Sequence, residues 1–128
     1  MYTKHWRNES QEDYLETILR ITNQRGACRS IDLAEYLEVS KASVSVAMSK
    51  LMDKGLVEMD GNKYLILTDE GGKIAEECFE KHQLFKCFLI AAGVDEAVAE
   101  DEACAMEHVV SEDSFRKIQA YLAQLTAK

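Results

Sequence analysis

Proline is absent from all 128 residues of this chain, and glycine occurs only six times. Proline ends or kinks a helix, because it lacks an amide proton and its ring collides with the preceding turn. A chain without it runs helices wherever the apolar spacing allows. Long β-branched alternating runs are scarce as well, so a mostly α fold is expected. Apolar residues make up 47% and charged residues 30% of the chain, the balance of a globular protein able to bury a core. The length suits one compact unit, or a small domain joined to a helical one.

Polar caps and glycines mark out the elements. Ser10, Glu12 and Asp13 read as a helix start, and Tyr14, Leu15, Ile18, Leu19 and Ile21 follow at helical spacing as far as Gly26. Ser30 or Asp32 is expected to cap a short second helix carrying Ile31, Leu33, Ala34 and Leu37, after which the chain turns through Glu38, Val39 and Ser40. A third helix begins at about Lys41, turns Val44, Ala47, Met48 and Leu51 inward, and is closed by Gly55. The segment LVEMDGNKYLILT reads as two short strands around Asp60, Gly61 and Asn62, a β-hairpin signal. Thr68 or Asp69 caps a long helix from Glu70 to Ala92 that Gly93 ends, with an apolar stripe through Ile74, Ala75, Phe79, Leu84, Phe85, Phe88 and Leu89. A fifth helix is expected from Asp95 to Val110. Ser111 caps a sixth that contains Phe115, Ile118, Tyr121, Leu122 and Leu125.

Two short helices joined by a tight turn and followed by a hairpin form a winged helix-turn-helix, whose second helix lies in the DNA major groove. The outward residues of the third helix suit that task. Ser40, Lys41, Ser43, Ser45 and Ser49 are small or basic, so a backbone can approach the groove and hydroxyls can bond bases or phosphates. Lys50, the wing residue Lys63, and Arg29 at the start of the second helix are expected on phosphates. A serine-rich face alone is more often only solvated, and it is the assembled pattern that points to DNA.

The charge divides in a matching way. The net −8 comprises nine Lys/Arg against ten Asp/Glu in residues 1–67, and six against thirteen in residues 68–128. A near-neutral front half can present a local basic face, whereas the acidic back half suits cations or protein contacts. There Cys104, Glu107 and His108 stand at i, i+3 and i+4 of one helix, and a thiolate, a carboxylate and an imidazole on one face form a transition-metal site. His82 on the long helix is a candidate fourth ligand, and Asp13 and Glu16 form an i, i+3 acidic pair on the first helix. Each has an ordinary alternative: a buried cysteine is usually a small hydrophobe, a histidine is usually packed, and N-terminal acids complement the helix dipole. The combination is what favours metal.

The stretches SQEDYLETI, SVSVAMSKLMDKGLV, LTDEGGKIAEECFEKHQLFKCFL and DEACAMEHVVSED resemble the diphtheria-toxin-repressor and manganese-transport-regulator family of metal-dependent repressors. The likeness runs from about Ser10 to Leu125 and is most specific in the last stretch. It implies a winged helix-turn-helix in residues 1–70 and an all-helical metal-binding and dimerisation domain in residues 71–128, with Fe(II) or Mn(II) as corepressor. It also implies a metal that ties the first helix to the dimerisation helices in a homodimer, and hence a pseudo-palindromic double-stranded operator. Asp13, Glu16, His82, Glu107 and His108 match ligand positions of the manganese branch, which has Glu where this chain has Cys104. Cysteine there resembles the iron branch, whose members usually have Met at the Asp13 position. The second metal site of that branch needs a carboxylate and a histidine where Lys86 and Glu100 stand. Its C-terminal SH3-like domain is not expected, since the sequence ends at Lys128.

The hybrid ligand set favours Fe(II) over Mn(II), with Co(II), Ni(II) and Zn(II) expected to substitute in vitro. The four cysteines show no CxxC spacing and are expected as reduced thiols. No apolar leader and no run of the ~18 residues a membrane span needs is present, which predicts a cytoplasmic protein without membrane contact. Two rivals stand beside this reading. One is a winged-helix regulator of an organic effector or of thiol oxidation, and the other is a small metalloenzyme, which the lack of a separate base or nucleophile disfavours.

Overall fold

The computed structural model describes residues 11–126, so the expected helix start at Ser10 lies outside the described residues. The elements run α1 (Gln11–Arg25), α2 (Ser30–Leu37), α3 (Lys41–Asp53), β1 (Val57–Met59), β2 (Leu65–Leu67), α4 (Asp69–Ala91), α5 (Glu96–Val109) and α6 (Glu112–Thr126). Two compact units part within α4, between Phe79 and Glu80.

In the first unit, Leu15, Ile18 and Ile21 of α1 meet Leu33 of α2, Val44, Met48 and Leu51 of α3, and Val57 and Leu65 of the hairpin in one buried core. Ile74 and Ala75 of α4 pack into it too, so compactness carries the first part of that helix with the hairpin. Helix α3 starts where Ser40 accepts the Ser43 amide at 3.0 Å and stops at Gly55, whose φ of +75° leads the chain into β1. Strands β1 and β2 pair antiparallel with Val57 opposite Leu67, and the Leu65 amide donates to the Cys28 carbonyl at 2.7 Å, fastening the hairpin to the α1–α2 connection.

One local expectation is corrected. The cap of α2 is Arg29, in extended backbone, and not Ser30 or Asp32. Asp32 sits in the first turn and its carboxylate accepts the Arg29 amide at 2.9 Å, so the side chain reaches backwards instead of forwards. In the hairpin, Asp60 Oδ1 accepts the amides of Asn62 and Tyr64, each at 2.9 Å. That carboxylate organises the expected turn, whose left-handed residue is Lys63, at φ 65°.

Helix α4 begins as expected at Thr68, whose hydroxyl donates to the Gly55 carbonyl at 2.7 Å and accepts the Gly71 amide at 3.1 Å. It ends at Gly93, where φ is +100°. In the second unit, Phe85, Ala103 and Phe115 are buried with Leu84, Met106, Val110 and Ile118 against them, and the two phenyl rings meet edge to face at 6.1 Å. Lys81 donates to the Val110 carbonyl at the C-terminus of α5, and Ser111 accepts the Ser114 amide to start α6. Phe88, Tyr121 and Leu125, all in the expected apolar stripes, are exposed. No disulfide joins any of the four cysteines. Among the described residues no helix is long and apolar enough to cross a membrane.

Candidate metal centre and nucleic-acid interface

Helix α3 has one buried side and one open side. Val44, Met48 and Leu51 face the core while Lys41, Ser43, Ser45, Ser49 and Lys50 are exposed, as an element that enters a groove requires. Ser40 serves chiefly as the helix cap: it accepts the Ser43 amide and donates its own proton to Ser43 Oγ at 3.0 Å. Lys63 projects from the exposed hairpin turn. Arg29 stacks its guanidinium over the Tyr64 ring, 4.3 Å from the centroid, which braces the start of α2 against the wing and fixes the cation near it.

In the second unit, α4 supplies His82 and α5 supplies Glu100, Cys104, Glu107 and His108. The stripe on α5 follows from spacing, because residues three, four and seven apart share a helix face. His82, Cys104 and Glu107 are buried. His82 Nδ1 lies 3.0 Å from Glu107 Oε1 and 3.5 Å from Cys104 Sγ, while His82 Nε2 lies 3.0 Å from Glu100 Oε1. Cys104 Sγ is 4.0 Å from Glu100 Oε2, and single donor atoms of His82, Glu100 and Cys104 all lie within 4.8 Å of one another. His108 is half-buried and stands beside Glu107, with Nε2 3.9 Å from Oε2.

The donor set fits a transition metal. A neutral imidazole carries one N–H, yet both His82 nitrogens face carboxylate oxygens at 3.0 Å. One of those contacts sets lone pair against lone pair unless a cation, either a proton or a metal, lies there. Burying carboxylates beside a thiol is costly without such a cation, and nitrogen, sulfur and oxygen donors are the ligands of Fe(II), Zn(II) and Co(II).

Glu100 was not among the ligands expected from sequence, where it counted only as a departure from the family's second site. Its place four residues before Cys104 and seven before Glu107 was the available signal. Lys86 is also at the cluster: its Nζ lies 3.0 Å from Glu100 Oε1 and 4.0 Å from Glu96 Oε2.

In the first unit, Asp13 and Glu16 are both buried on α1. Glu16 Oε2 receives Arg20 Nη2 at 2.7 Å and Nε at 3.1 Å, and the Arg20 guanidinium also lies over the Phe79 ring. That fork holds the Glu16 carboxylate in place. Cys28 is a different kind of cysteine from Cys104. Burial, reinforced by the Asp32 charge and opposed by Arg25, pushes its thiol up to about 12, so it packs as a neutral side chain.

Residues 8–65 match the N-terminal DNA binding domain of the iron dependent repressor family, and residues 68–128 match that family's metal binding and dimerisation domain. The transcriptional regulator MntR of Escherichia coli O6:H1 is 35% identical over 122 residues, covering 95% of this chain and 79% of that protein. Among solved structures, that of the metal-dependent transcriptional regulator MtsR superposes with a TM-score of 0.81 at 30% identity, covering 89% of this chain and 54% of that one. A manganese-dependent transcriptional repressor in complex with manganese gives 0.77 at 32% identity, covering 89% and 53%. The chain thus spans about half the length of those two solved chains.

Proposed function

The chain belongs to the iron-dependent repressor family, and on that premise we propose that it is a metal-dependent DNA-binding transcriptional regulator, a repressor when a divalent transition metal is bound. The observation that carries the metal half is the buried group of His82, Cys104 and Glu107, with Glu100 on the second His82 nitrogen. The DNA half rests on the exposed serine and lysine face of α3 beside its hairpin.

We assign the ligand set to Asp13, Glu16, His82, Cys104, Glu107 and His108, and the DNA contacts to Arg29, Ser40, Lys41, Ser43, Ser45, Ser49, Lys50 and Lys63. As functional domains we take residues 1–70 for DNA reading and 71–128 for metal binding and dimerisation. Asp13 and Glu16 enter the set on the sequence resemblance and on their burial as carboxylates. A bound cation supplies concentrated positive charge that offsets the buried carboxylates and thiolate. His82 and Cys104 contribute the nitrogen and sulfur that set its identity, and Glu107 stands beside them at His82 Nδ1. Regulation then follows from linkage: a ligand needing donors from both units favours the arrangement of them that it binds more tightly. Fe(II) or Mn(II) is the physiological ion, with Fe(II) favoured by the thiolate, and Co(II), Ni(II) or Zn(II) able to substitute.

The protein works as a cytoplasmic homodimer on a pseudo-palindromic operator. Exposed Phe88, Val109, Tyr121 and Leu125 offer apolar surface for a second copy to bury. Its role is non-catalytic, since linked binding needs no turnover. Titrating operator binding with Fe(II), Mn(II), Co(II) and Zn(II) under anaerobic, reducing conditions tests both halves at once. Specific binding is expected to appear with metal and disappear on chelation. Binding unchanged by chelation would leave a regulator of an organic effector or of thiol oxidation.

A further inference from the structure

The exposed face of α3 carries an apolar side chain among its serines and lysines. Between Ser40 and Lys54 the chain has no Arg, Asn or Gln, so of the side chains that make two-pronged hydrogen bonds to guanine or adenine only lysine is present. Val46 is instead 57% exposed at the middle of that face, with exposed Ala42 one turn before it and Ser45 and Ser49 around it. Lys41 and Lys50 bracket the patch. A single exposed valine is ordinary on a protein surface. This one lies among the first six residues of the helix, the part that meets base edges in a helix-turn-helix. Its neighbours are short enough to let it reach the groove floor. It also rims an open groove together with Val39, Ser43 and Lys50. The major groove presents one apolar feature, the C5-methyl group of thymine.

We propose that Val46 is the specificity-determining residue of the reading helix and recognises a thymine methyl group in each half-site, with Ala42 and the serines allowing the close approach. The inference rests on α3 being the helix that reads DNA. An isopropyl group packed on one methyl shields about the area of a buried methylene, which corresponds to roughly a fourfold difference in affinity per half-site.

Replacing thymine by uracil removes that methyl and leaves every hydrogen-bonding group in place. The operator is first selected from random duplexes with the Mn(II)-loaded full chain. Each thymine is then replaced by uracil in turn, and binding is measured by fluorescence anisotropy at fixed salt for the wild type, Val46→Ala and Lys50→Ala. Circular dichroism checks that the variants fold. At one position per half-site, uracil is expected to weaken the wild type roughly fourfold and to leave Val46→Ala unaffected. A wild type indifferent to uracil everywhere, or a Val46→Ala variant that keeps the full sensitivity, overturns the proposal. In either case a weakened Lys50→Ala keeps α3 as the reading helix. Should Lys50→Ala and Val46→Ala both bind as the wild type does, α3 is not the reading helix and the premise itself fails.

Discussion

Cys104 holds its sulfur 3.5 Å from His82 Nδ1 and 4.0 Å from Glu100 Oε2, in a cluster whose other donors are nitrogen and oxygen. Mn(II) binds carboxylate oxygen well and thiolate sulfur poorly, while Fe(II), Co(II) and Zn(II) tolerate sulfur. Cys104→Glu is therefore expected to lower the Mn(II) concentration that half-activates operator binding. Equal or weaker Mn(II) activation in that variant would count against sulfur as the selector. Cys28 makes a contrasting residue-scale case, because its folded thiol is raised from 9.0 to about 12, by burial above all. Below pH 9 both folded and unfolded chains keep that proton. Between pH 9 and about 12 only the folded chain keeps it, so stability falls as pH rises through that window. Urea midpoints are expected to fall more steeply over this range in the wild type than in Cys28→Ala. Parallel slopes would show that the thiol ionises alike in both states. The same burial predicts that at pH 8 a thiol reagent modifies exposed Cys87 and spares Cys28.

Adjacent glycines at the start of α4 have opposite roles. A Cβ on Gly71 would overlap the Leu56 carbonyl, while a Cβ on Gly72 meets nothing within 4 Å. The first therefore permits close approach of helix to hairpin, and the second only adds backbone freedom inside a helix. Gly71→Ala should destabilise by about 1–3 kcal/mol and Gly72→Ala should stabilise by about 0.5–1 kcal/mol, both read from urea unfolding. Similar effects for the pair would mean the packing argument is wrong. Nothing in the sequence separates two neighbouring glycines, because the distinction lies in what the chain folds against. Element identities were legible for the opposite reason: Ser40, Thr68, Asp95 and Ser111 cap helices through their own side chains, a signal that is local. The α2 cap was not legible, since Arg29 offers only a backbone amide to Asp32 and any residue but proline has one. The wing hairpin, by contrast, was legible from Asp60, Gly61 and Asn62 between β-prone runs, and in its turn Asp60 collects two amides.

Across the whole molecule, charge and chemistry are divided along the chain, and that division could be seen before any coordinates. Residues 68–128 carry thirteen acids against six bases, and the buried donors His82, Cys104 and Glu107 lie among them. Local spacing exposed Cys104, Glu107 and His108 because they share a helix turn. The pairing of His82 with Glu107, 25 residues away, is a tertiary fact that no helical period encodes. Glu100 lies four residues before Cys104 and seven before Glu107 on one helix face, yet its contact with His82 Nε2 is again a tertiary one. A site of this kind couples metal to the stability of the whole fold, since the unfolded chain cannot assemble donors so far apart. Metal at a hundredfold excess over its dissociation constant stabilises a folded protein by about 2.7 kcal/mol. The melting temperature is expected to rise with Mn(II) or Fe(II) and return on chelation, and His82→Ala should melt at one temperature with or without metal. That variant also relieves the carboxylates of their ring partner, so its absolute stability is not the test; its loss of metal response is. A wild-type melting temperature that ignores metal at saturating concentration would mean that the buried imidazole, thiol and carboxylates form a packed polar cluster and no more.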